Sequence, residues 1–196
     1  MVNLTQKEKE ALLILFKDFT SFYNANSISK LLNISHAGAQ KIFKRLLKKN
    51  VLISRKIGKS IVCKPKLEED YARKLISFLL ADEANSFKRW IEEFKELSKK
   101  SRIIILYGSA IKNYAQANDI DVMIVIDKKD AGEIDKIIKQ KQDILPKKLH
   151  AIMLTQKDMV KNLHKKNKAA IDIVKNGVVI YGQDKYVEIV KDVAGF

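Results

Sequence analysis

Apolar residues recur at helical spacing through the first fifty residues, and two short strand-like runs follow them. Thr5 stands three residues before Glu8, the sequence of a capping box, and Ser35 precedes another helical stripe. Gly58 lies in a turn between the two strand-like runs. The predicted elements are helices beginning at Thr5, over residues 27–33 and over residues 35–49, then strands over 51–56 and 60–64. The pattern predicts three helices followed by a β-hairpin.

The rest of the chain divides into a helical stretch and an alternation of strands with helices. Residues 67–80 and 87–97 carry helical patterns, and Trp90 and Phe94, four residues apart, are expected in a core. From Arg102 onward the predicted elements are strands over 102–107, 120–126, 149–154 and 178–181, a loop or short helix over 109–117, and helices over 130–143, 155–165, 166–176 and 184–192. This order predicts an α/β domain with a small mixed sheet.

Basic residues are concentrated in the first third of the chain. The 196 residues carry a net charge of +15, and residues 1–65 alone hold 13 Lys and Arg against three acidic residues. A Lys-rich composition by itself would spread this charge evenly along the chain. The uneven distribution therefore indicates a polyanion partner for the first third.

Composition narrows the class of protein further. Hydrophobic residues make up 46% of the chain, which is enough for a packed core. The single cysteine, Cys63, excludes an intramolecular disulfide and favours a reducing compartment. No apolar run approaches the roughly 18 residues of a membrane span, and the first residues lack the apolar region of a signal peptide. We expect a cytoplasmic protein with no membrane partner.

The predicted third helix and the hairpin carry many basic residues. Two short helices joined by a tight turn, followed by a basic hairpin, resemble the winged helix-turn-helix domains that bind DNA, across residues 1–65. By this resemblance the third helix enters the major groove, and the hairpin contacts phosphate or the minor groove. The residues implied in DNA contact are Ser35, His36, Gln40, Lys41, Lys44, Arg45, Arg55, Lys56 and Lys59, with Lys64 at the end of the hairpin. A winged helix used for protein docking is the alternative.

Two aspartates separated by one residue follow a Gly-Ser pair in the second half of the chain. Asp119 and Asp121 stand at the start of an apolar strand, and Gly108-Ser109 follows the preceding strand. Side chains at i and i+2 of a strand point to the same side of the sheet, so the two carboxylates repel each other unless a divalent cation lies beside them. The Gly-Ser turn offers backbone N–H groups and a hydroxyl to a phosphate. These residues predict a metal–triphosphate site, against the alternative of a solvated strand entry.

With the stretch 176–182, these motifs resemble the minimal nucleotidyltransferase domains of the polymerase β superfamily over about residues 101–192. The resemblance implies that Gly108 and Ser109 hold the β- and γ-phosphates of a nucleoside triphosphate. It also implies that Asp119 and Asp121 bind Mg²⁺ or Mn²⁺, which positions the α-phosphate for attack by a hydroxyl.

The chain departs from the family's pattern in the loop and on the next strand. Asn113 stands where the family usually has glycine, and we expect asparagine to be tolerated there because it accepts a left-handed backbone. The family's enzymes place a third carboxylate on the next strand, but residues 149–154 contain no acid. His150 is the polar residue nearest that place, and it is either a base towards an attacking hydroxyl or a structural histidine. Lys112 is either a triphosphate contact or one more surface lysine.

The sequence thus predicts a two-domain protein of the α+β or α/β class. We expect a winged helix-turn-helix domain over residues 1–65 and a helical connector over residues 66–100. A nucleotidyltransferase-like domain, with a mixed sheet and flanking helices, is expected over residues 101–196.

Two functions from different classes follow. In the first, which the missing third carboxylate favours, the protein is a transcriptional regulator that binds double-stranded DNA as a homodimer. Its second domain then holds a metal–nucleotide complex and has weak or no transferase activity. In the second, the protein is a Mg²⁺-dependent nucleotidyltransferase recruited to DNA, with Asp119, Asp121 and His150 as catalytic residues. The family resemblance also implies an antitoxin role with a toxin-like protein partner.

Overall fold

The computed structural model describes residues 3–195 of the chain. They form two compact units, the first of residues 3–79 with 194–195 and the second of residues 80–193. The predicted domain boundaries after residues 65 and 100 stay predictions. No helix within residues 3–195 is long and apolar enough to cross a membrane.

The first unit contains helices that precede an antiparallel hairpin. Its elements are α1 (Gln6–Lys17), α2 (Ala25–Leu32), α3 (His36–Lys48), β1 (Leu52–Ile57), β2 (Ser60–Pro65) and the first part of α4 (Asp70–Ala84). The predicted capping box is present, since the Thr5 hydroxyl accepts a hydrogen bond from the Glu8 N–H and the Glu8 carboxylate accepts one from the Thr5 N–H. The Ser35 hydroxyl caps α3, as predicted. α2 begins before residue 27 because Asn24 caps it.

A buried carboxylate connects the end of α1 to the start of α2. Asp18 is 4% exposed, and its oxygens accept hydrogen bonds from the next turn of chain. The donors are the hydroxyls of Thr20 at 3.2 Å, Ser21 at 3.0 Å and Tyr23 at 2.5 Å. The backbone carbonyl of Tyr23 accepts a hydrogen bond from the Cys63 N–H at 2.9 Å, so the same segment also pairs with β2.

Replacing Tyr23 with phenylalanine should remove one source of alkaline sensitivity. Burial, together with the hydrogen bond and charge of Asp18, raises the pKa of Tyr23 from 10.0 to about 12. Because the folded chain favours the protonated phenol, its stabilisation is complete below pH 10 and is lost as the pH rises through about 12. We expect Tyr23→Phe to be about 1–2 kcal/mol less stable at pH 7. In urea unfolding, this difference should shrink above pH 10; a difference that stays constant to pH 12 would contradict the prediction.

The second unit alternates strands and helices in the predicted order. Its elements are the end of α4, α5 (Lys88–Glu93), α6 (Lys95–Ser98), β3 (Ser101–Tyr107), α7 (Ser109–Lys112), β4 (Asp119–Ile126), α8 (Ala131–Ile144), β5 (Lys148–Thr155), α9 (Gln156–His164), α10 (Lys168–Asn176), β6 (Val178–Tyr181) and α11 (Gln183–Val193). The strands lie within one residue of their predicted bounds, and the helices from α8 onward lie within two.

A mixed sheet, in the order β5-β4-β3-β6, forms the centre of this unit, as predicted. β3 is antiparallel to both of its neighbours, and β4 is parallel to β5. One face of the sheet packs on α5, α6 and α8. Trp90 and Phe94 are buried in this core with their ring centroids 5.8 Å apart, which confirms their predicted place. Helices α9, α10 and α11 also contact strands of the sheet.

Candidate functional site

The strand register places polar side chains of three strands side by side. Asp121 of β4 is paired with Tyr107 on β3 and with His150 on β5. Two positions earlier on β4, Asp119 is paired with Lys148. Residues paired directly across a sheet point to the same face, as do residues two apart on one strand. The five side chains therefore share one face, at the ends of β4 and β5 where these strands begin.

Asp119, Asp121 and His150 form a close cluster. His150 Nδ1 lies 3.3 Å from Asp119 Oδ2 and 3.6 Å from Asp121 Oδ1. One ligand atom from each residue lies within 4.8 Å of the others. The side chain of Asp119 is 32% exposed, that of Asp121 is 21% exposed and that of His150 is 43% exposed, so solvent and a ligand can reach them. Two carboxylates with an imidazole are a donor set that fits a divalent metal.

Burial and mutual repulsion disfavour the charged forms of the carboxylates in this cluster. Burial raises the pKa of Asp121, the charge of Asp119 raises it further, and His150 acts in the opposite direction. Burial also raises the pKa of the Tyr107 phenol, with contributions from both carboxylates. Tyr107 therefore stays protonated at neutral pH beside the two acids. A bound cation would relieve the repulsion between the aspartates.

The Gly-Ser turn packs directly against the second aspartate. Gly108 has φ +79° and ψ −157°, a conformation that is essentially confined to glycine. A Cβ atom at this position would lie 2.2 Å from Asp121 Oδ2, so the absence of a side chain lets the carboxylate approach the turn. Ser109 begins the short helix α7 and is exposed. The turn and the aspartates are therefore adjacent in space, and the phosphate-binding roles of Gly108 and Ser109 stay predictions.

The loop between Ser109 and Asp119 turns without the left-handed backbone that was expected at Asn113. Asn113 has φ −153° and ψ 96°, so the expected left-handed backbone is wrong. Its side-chain oxygen instead accepts a hydrogen bond from the Ala115 N–H at 3.1 Å, and this side-chain turn needs no positive φ.

A lysine just before β5 holds this loop in place. Lys147 Nζ donates to the backbone carbonyl of Tyr114 at 2.7 Å, to that of Ala115 at 3.2 Å, and to that of Ala117. It also lies 4.7 Å from the centre of the Tyr114 ring. The ammonium group has three N–H donors, and three carbonyls surround it. Lys147 thus joins the segment between Ser109 and Asp119 to the start of the strand that carries His150.

Replacing Lys147 with methionine should loosen this loop. The variant keeps the apolar stem but leaves three carbonyls without their donor, and we expect a loss of about 1–3 kcal/mol of unfolding free energy. Hydrogen exchange of the amides of residues 114–117 should become faster. Lys148→Met, which changes the exposed neighbouring lysine, should stay within about 0.5 kcal/mol of the wild type. Unchanged exchange in Lys147→Met would show that the loop is held by other contacts.

Two of the five side chains on this face of the sheet, those of Lys148 and Tyr107, were not predicted as site residues from the sequence. Lys148 is exposed and paired with Asp119, and Tyr107 is paired with Asp121. Extending the predicted strand 149–154 back by one residue would have placed Lys148 on the same face as His150, two positions away. Lys112, which was predicted as a nucleotide contact or a surface residue, is exposed at the end of α7 and stays a prediction.

The nine predicted DNA-binding residues are all exposed on the first unit. They are Ser35, His36, Gln40, Lys41, Lys44, Arg45, Arg55, Lys56 and Lys59. Arg45 Nε lies 3.0 Å from Glu8 Oε1, and the Glu8 side chain is 1% exposed, so Arg45 also neutralises a buried acid. The expectation for Lys64 is wrong. It is 7% exposed and donates to the carbonyls of Phe19 at 2.9 Å and Gly195 at 2.7 Å, because a buried ammonium needs acceptors within the fold.

Comparison with known proteins identifies the family of the second unit. The family model described as Polymerase beta, Nucleotidyltransferase matches residues 89–186. No curated protein matches the chain, and no solved structure matches it. The match covers half of the chain, including the Gly-Ser turn, both aspartates, His150 and all four strands of the mixed sheet. The chain therefore belongs to the polymerase beta nucleotidyltransferase family.

Proposed function

We propose that the protein is a DNA-binding transcriptional regulator whose nucleotidyltransferase domain binds a nucleoside triphosphate with a divalent cation and transfers nucleotide slowly or not at all. The observation that carries the nucleotide part is the packing of Gly108 against Asp121, within a cluster that also contains Asp119 and His150. It sets a side-chain-free turn beside two acids, where a phosphate and its counter-cation can meet.

Each residue of the site has a task that its chemistry suits. Gly108 leaves the backbone open to phosphate oxygens, and the exposed Ser109 hydroxyl donates to them. The ammonium groups of Lys112 and Lys148 supply positive charge near the turn and near Asp119. A divalent cation held by the two carboxylates would offset phosphate charge and polarise the α-phosphate. Lys147 keeps the intervening loop ordered.

The composition of β5 supports a low rate of transfer. The residues paired with Asp119 and Asp121 are Lys148 and His150, and the strand Lys148–Thr155 contains no carboxylate. A second hard cation prefers carboxylate oxygens, which this strand does not supply. The imidazole of His150 cannot supply the negative charge of a carboxylate. The site therefore supports binding better than it supports two-cation catalysis.

Labelled ATP, CTP and GTP with Mg²⁺ or Mn²⁺ test this half of the proposal. We expect the protein to retain at least one nucleotide in a cation-dependent way, with little covalent transfer. Asp119→Asn should weaken retention by about 10–100-fold, since it removes a charge that orders the cation. Asp143→Asn, a change at an exposed aspartate near the end of α8, is the control and should bind like the wild type.

The two contrary outcomes of this assay differ. No cation-dependent retention by the wild type would contradict the proposed nucleotide site. Robust label transfer that Asp119→Asn abolishes would establish the alternative function, a Mg²⁺-dependent transferase, and would make modification of a toxin-like partner protein the next question.

The DNA-binding part of the proposal rests on the first unit. Helices α1–α3 and the hairpin β1–β2 follow the order of a winged helix-turn-helix domain. A groove of about 660 Å³ lies between α3 and the hairpin, and its lining includes His36, Gln40, Lys44 and Lys59. The exposed basic side chains of α3 and of the hairpin suit a phosphate backbone. Two copies of the chain would read two half-sites of duplex DNA.

A further inference from the structure

The ligating atoms of Asp119, Asp121 and His150 converge from two neighbouring strands. His150 Nδ1 lies 3.3 Å from one carboxylate oxygen and 3.6 Å from an oxygen of the other. Two ligand atoms bound at about 2.1 Å to one cation lie about 3.0 Å apart in an octahedral site and about 3.4 Å apart in a tetrahedral one. Both distances lie within about 0.2 Å of the tetrahedral separation, so the imidazole nitrogen is placed as a third ligand would be.

A direct hydrogen bond accounts for these distances less well. A charge-assisted N–H···O bond brings the nitrogen to about 2.7–2.9 Å from one carboxylate oxygen. His150 Nδ1 is farther than this from Asp119 and is nearly as close to Asp121. A nitrogen placed almost evenly between two carboxylates suits a cation that all three residues share.

The strand register makes this position of His150 a property of the fold. Parallel pairing sets His150 opposite Asp121, and the buried Leu149 before it points into the core. The side chain of His150 is therefore directed to the face that carries the aspartates. It remains 43% exposed, which leaves the outer side of the cluster open for water or phosphate oxygens to complete a coordination shell.

We infer that His150 is a cation ligand, and that the site therefore prefers a transition cation that accepts nitrogen ligands, such as Co²⁺ or Zn²⁺, to Mg²⁺. Mg²⁺ takes oxygen ligands in an octahedron and gives up water reluctantly. Imidazole nitrogen suits the later first-row cations, which also bind mixed nitrogen and oxygen sites more tightly. The inference rests on the proposed cation site and names the cation class that the site selects.

Titration of the full-length protein with Co²⁺ and with Mg²⁺ tests this assignment. The variants are His150→Ala and His150→Asp, with His164→Ala as a control at an exposed histidine of α9. Circular dichroism and urea unfolding confirm that each variant is folded. Bound Co²⁺ should give a hyperfine-shifted imidazole N–H resonance in the proton NMR spectrum of the wild type and of His164→Ala, and this resonance should be absent from both His150 variants.

The affinities should separate in the same way. Loss of an outer-shell partner of a metal ligand weakens metal binding by about 10–100-fold. Loss of a ligand itself should cost at least as much, so His150→Ala should weaken Co²⁺ binding by at least about tenfold. The same variant should change Mg²⁺ binding by less than about threefold. His150→Asp should strengthen Mg²⁺ binding and lower the ratio of Co²⁺ to Mg²⁺ affinity by at least about tenfold.

The measurements separate the role of His150 from the existence of the cation site itself. A wild type without the shifted resonance, whose Co²⁺ affinity survives His150→Ala but is lost in Asp119→Asn, would remove His150 from the ligands and leave the cation site standing. A wild type that binds neither cation, or an Asp119→Asn variant that binds both as before, would remove the site and the inference together.

Discussion

Replacing Lys41 and Lys44 together with glutamate should abolish binding of the protein to duplex DNA at physiological salt. Both lysines are exposed on α3, on the face opposite the buried Ile42 and Phe43. Each phosphate contact makes the slope of log K against log salt concentration more negative by about 0.9 for duplex DNA. The two glutamates would also repel the phosphates. At salt concentrations low enough for residual binding to be measured, we expect the slope to be smaller in magnitude by about 2.

A charge-matched variant separates this effect from net charge. Lys165→Glu with Lys168→Glu makes the same change at exposed positions of the second unit. We expect this control to retain most of the affinity in electrophoretic mobility assays. Equal loss in both double variants would point to non-specific attraction by the whole basic chain. Undiminished binding of the α3 variant would exclude α3 as the DNA-contacting helix and favour protein docking by the first unit.

Gly108→Ala should have the second large effect, on the nucleotide and cation site. The backbone conformation at φ +79° and ψ −157° costs a side-chain-bearing residue about 1–3 kcal/mol. The added Cβ would also meet Asp121 Oδ2 at 2.2 Å, so either the turn or the carboxylate must move. We expect a loss of about 1–3 kcal/mol of unfolding free energy and a loss of cation-dependent nucleotide retention, measured by urea unfolding and by filter binding.

Gly132→Ala is the matched control for this substitution. Gly132 lies in α8, and an added Cβ there would meet open space. Alanine favours a helix over glycine by up to about 1 kcal/mol, so the control should be as stable as the wild type or more stable. Nucleotide retention that persists in Gly108→Ala would show that the turn does not contact the phosphates.

Local signals in the sequence predicted most of the elements. The Thr5–Glu8 capping box and the Ser35 cap depend on residues three apart, so the sequence contains both partners of each hydrogen bond. Strand bounds followed from apolar runs in the same way. Asn24 was missed because its helix was placed by its apolar stripe, which begins later than the cap.

The composition of the candidate site was only partly predictable. The two motifs are short in sequence, and the turn and the aspartates were expected to be neighbours. The pairings of Asp121 with Tyr107 and of Asp119 with Lys148 depend on register between distant strands, which a one-residue slip would change. His150 was a candidate, but its distance from both carboxylates follows only from that register.

Lysines whose ammonium groups bind backbone carbonyls within the fold were the least predictable residues. Lysine is seldom fully buried, so Lys64 on a basic hairpin was assigned to DNA. Its carbonyl partners lie 45 and 131 residues away in the chain, and those of Lys147 lie about thirty away. Residues so distant leave no periodic pattern around a lysine in the sequence, so Lys64 was assigned to DNA contact and Lys147 was given no role.

The position of β5 would give a cation at the proposed site a mechanical role in addition to its chemical one. Among the strands that the structure describes, β5 is at the edge of the sheet and pairs with β4 alone. The proposed ligands come from both strands, so an ion between them would fasten the edge strand to the sheet interior. Ligands that bind only the folded state stabilise it by mass action, by about 2.7 kcal/mol at a hundredfold excess over Kd. Opening of the β5 edge would then become rarer as the concentration of the free cation rises.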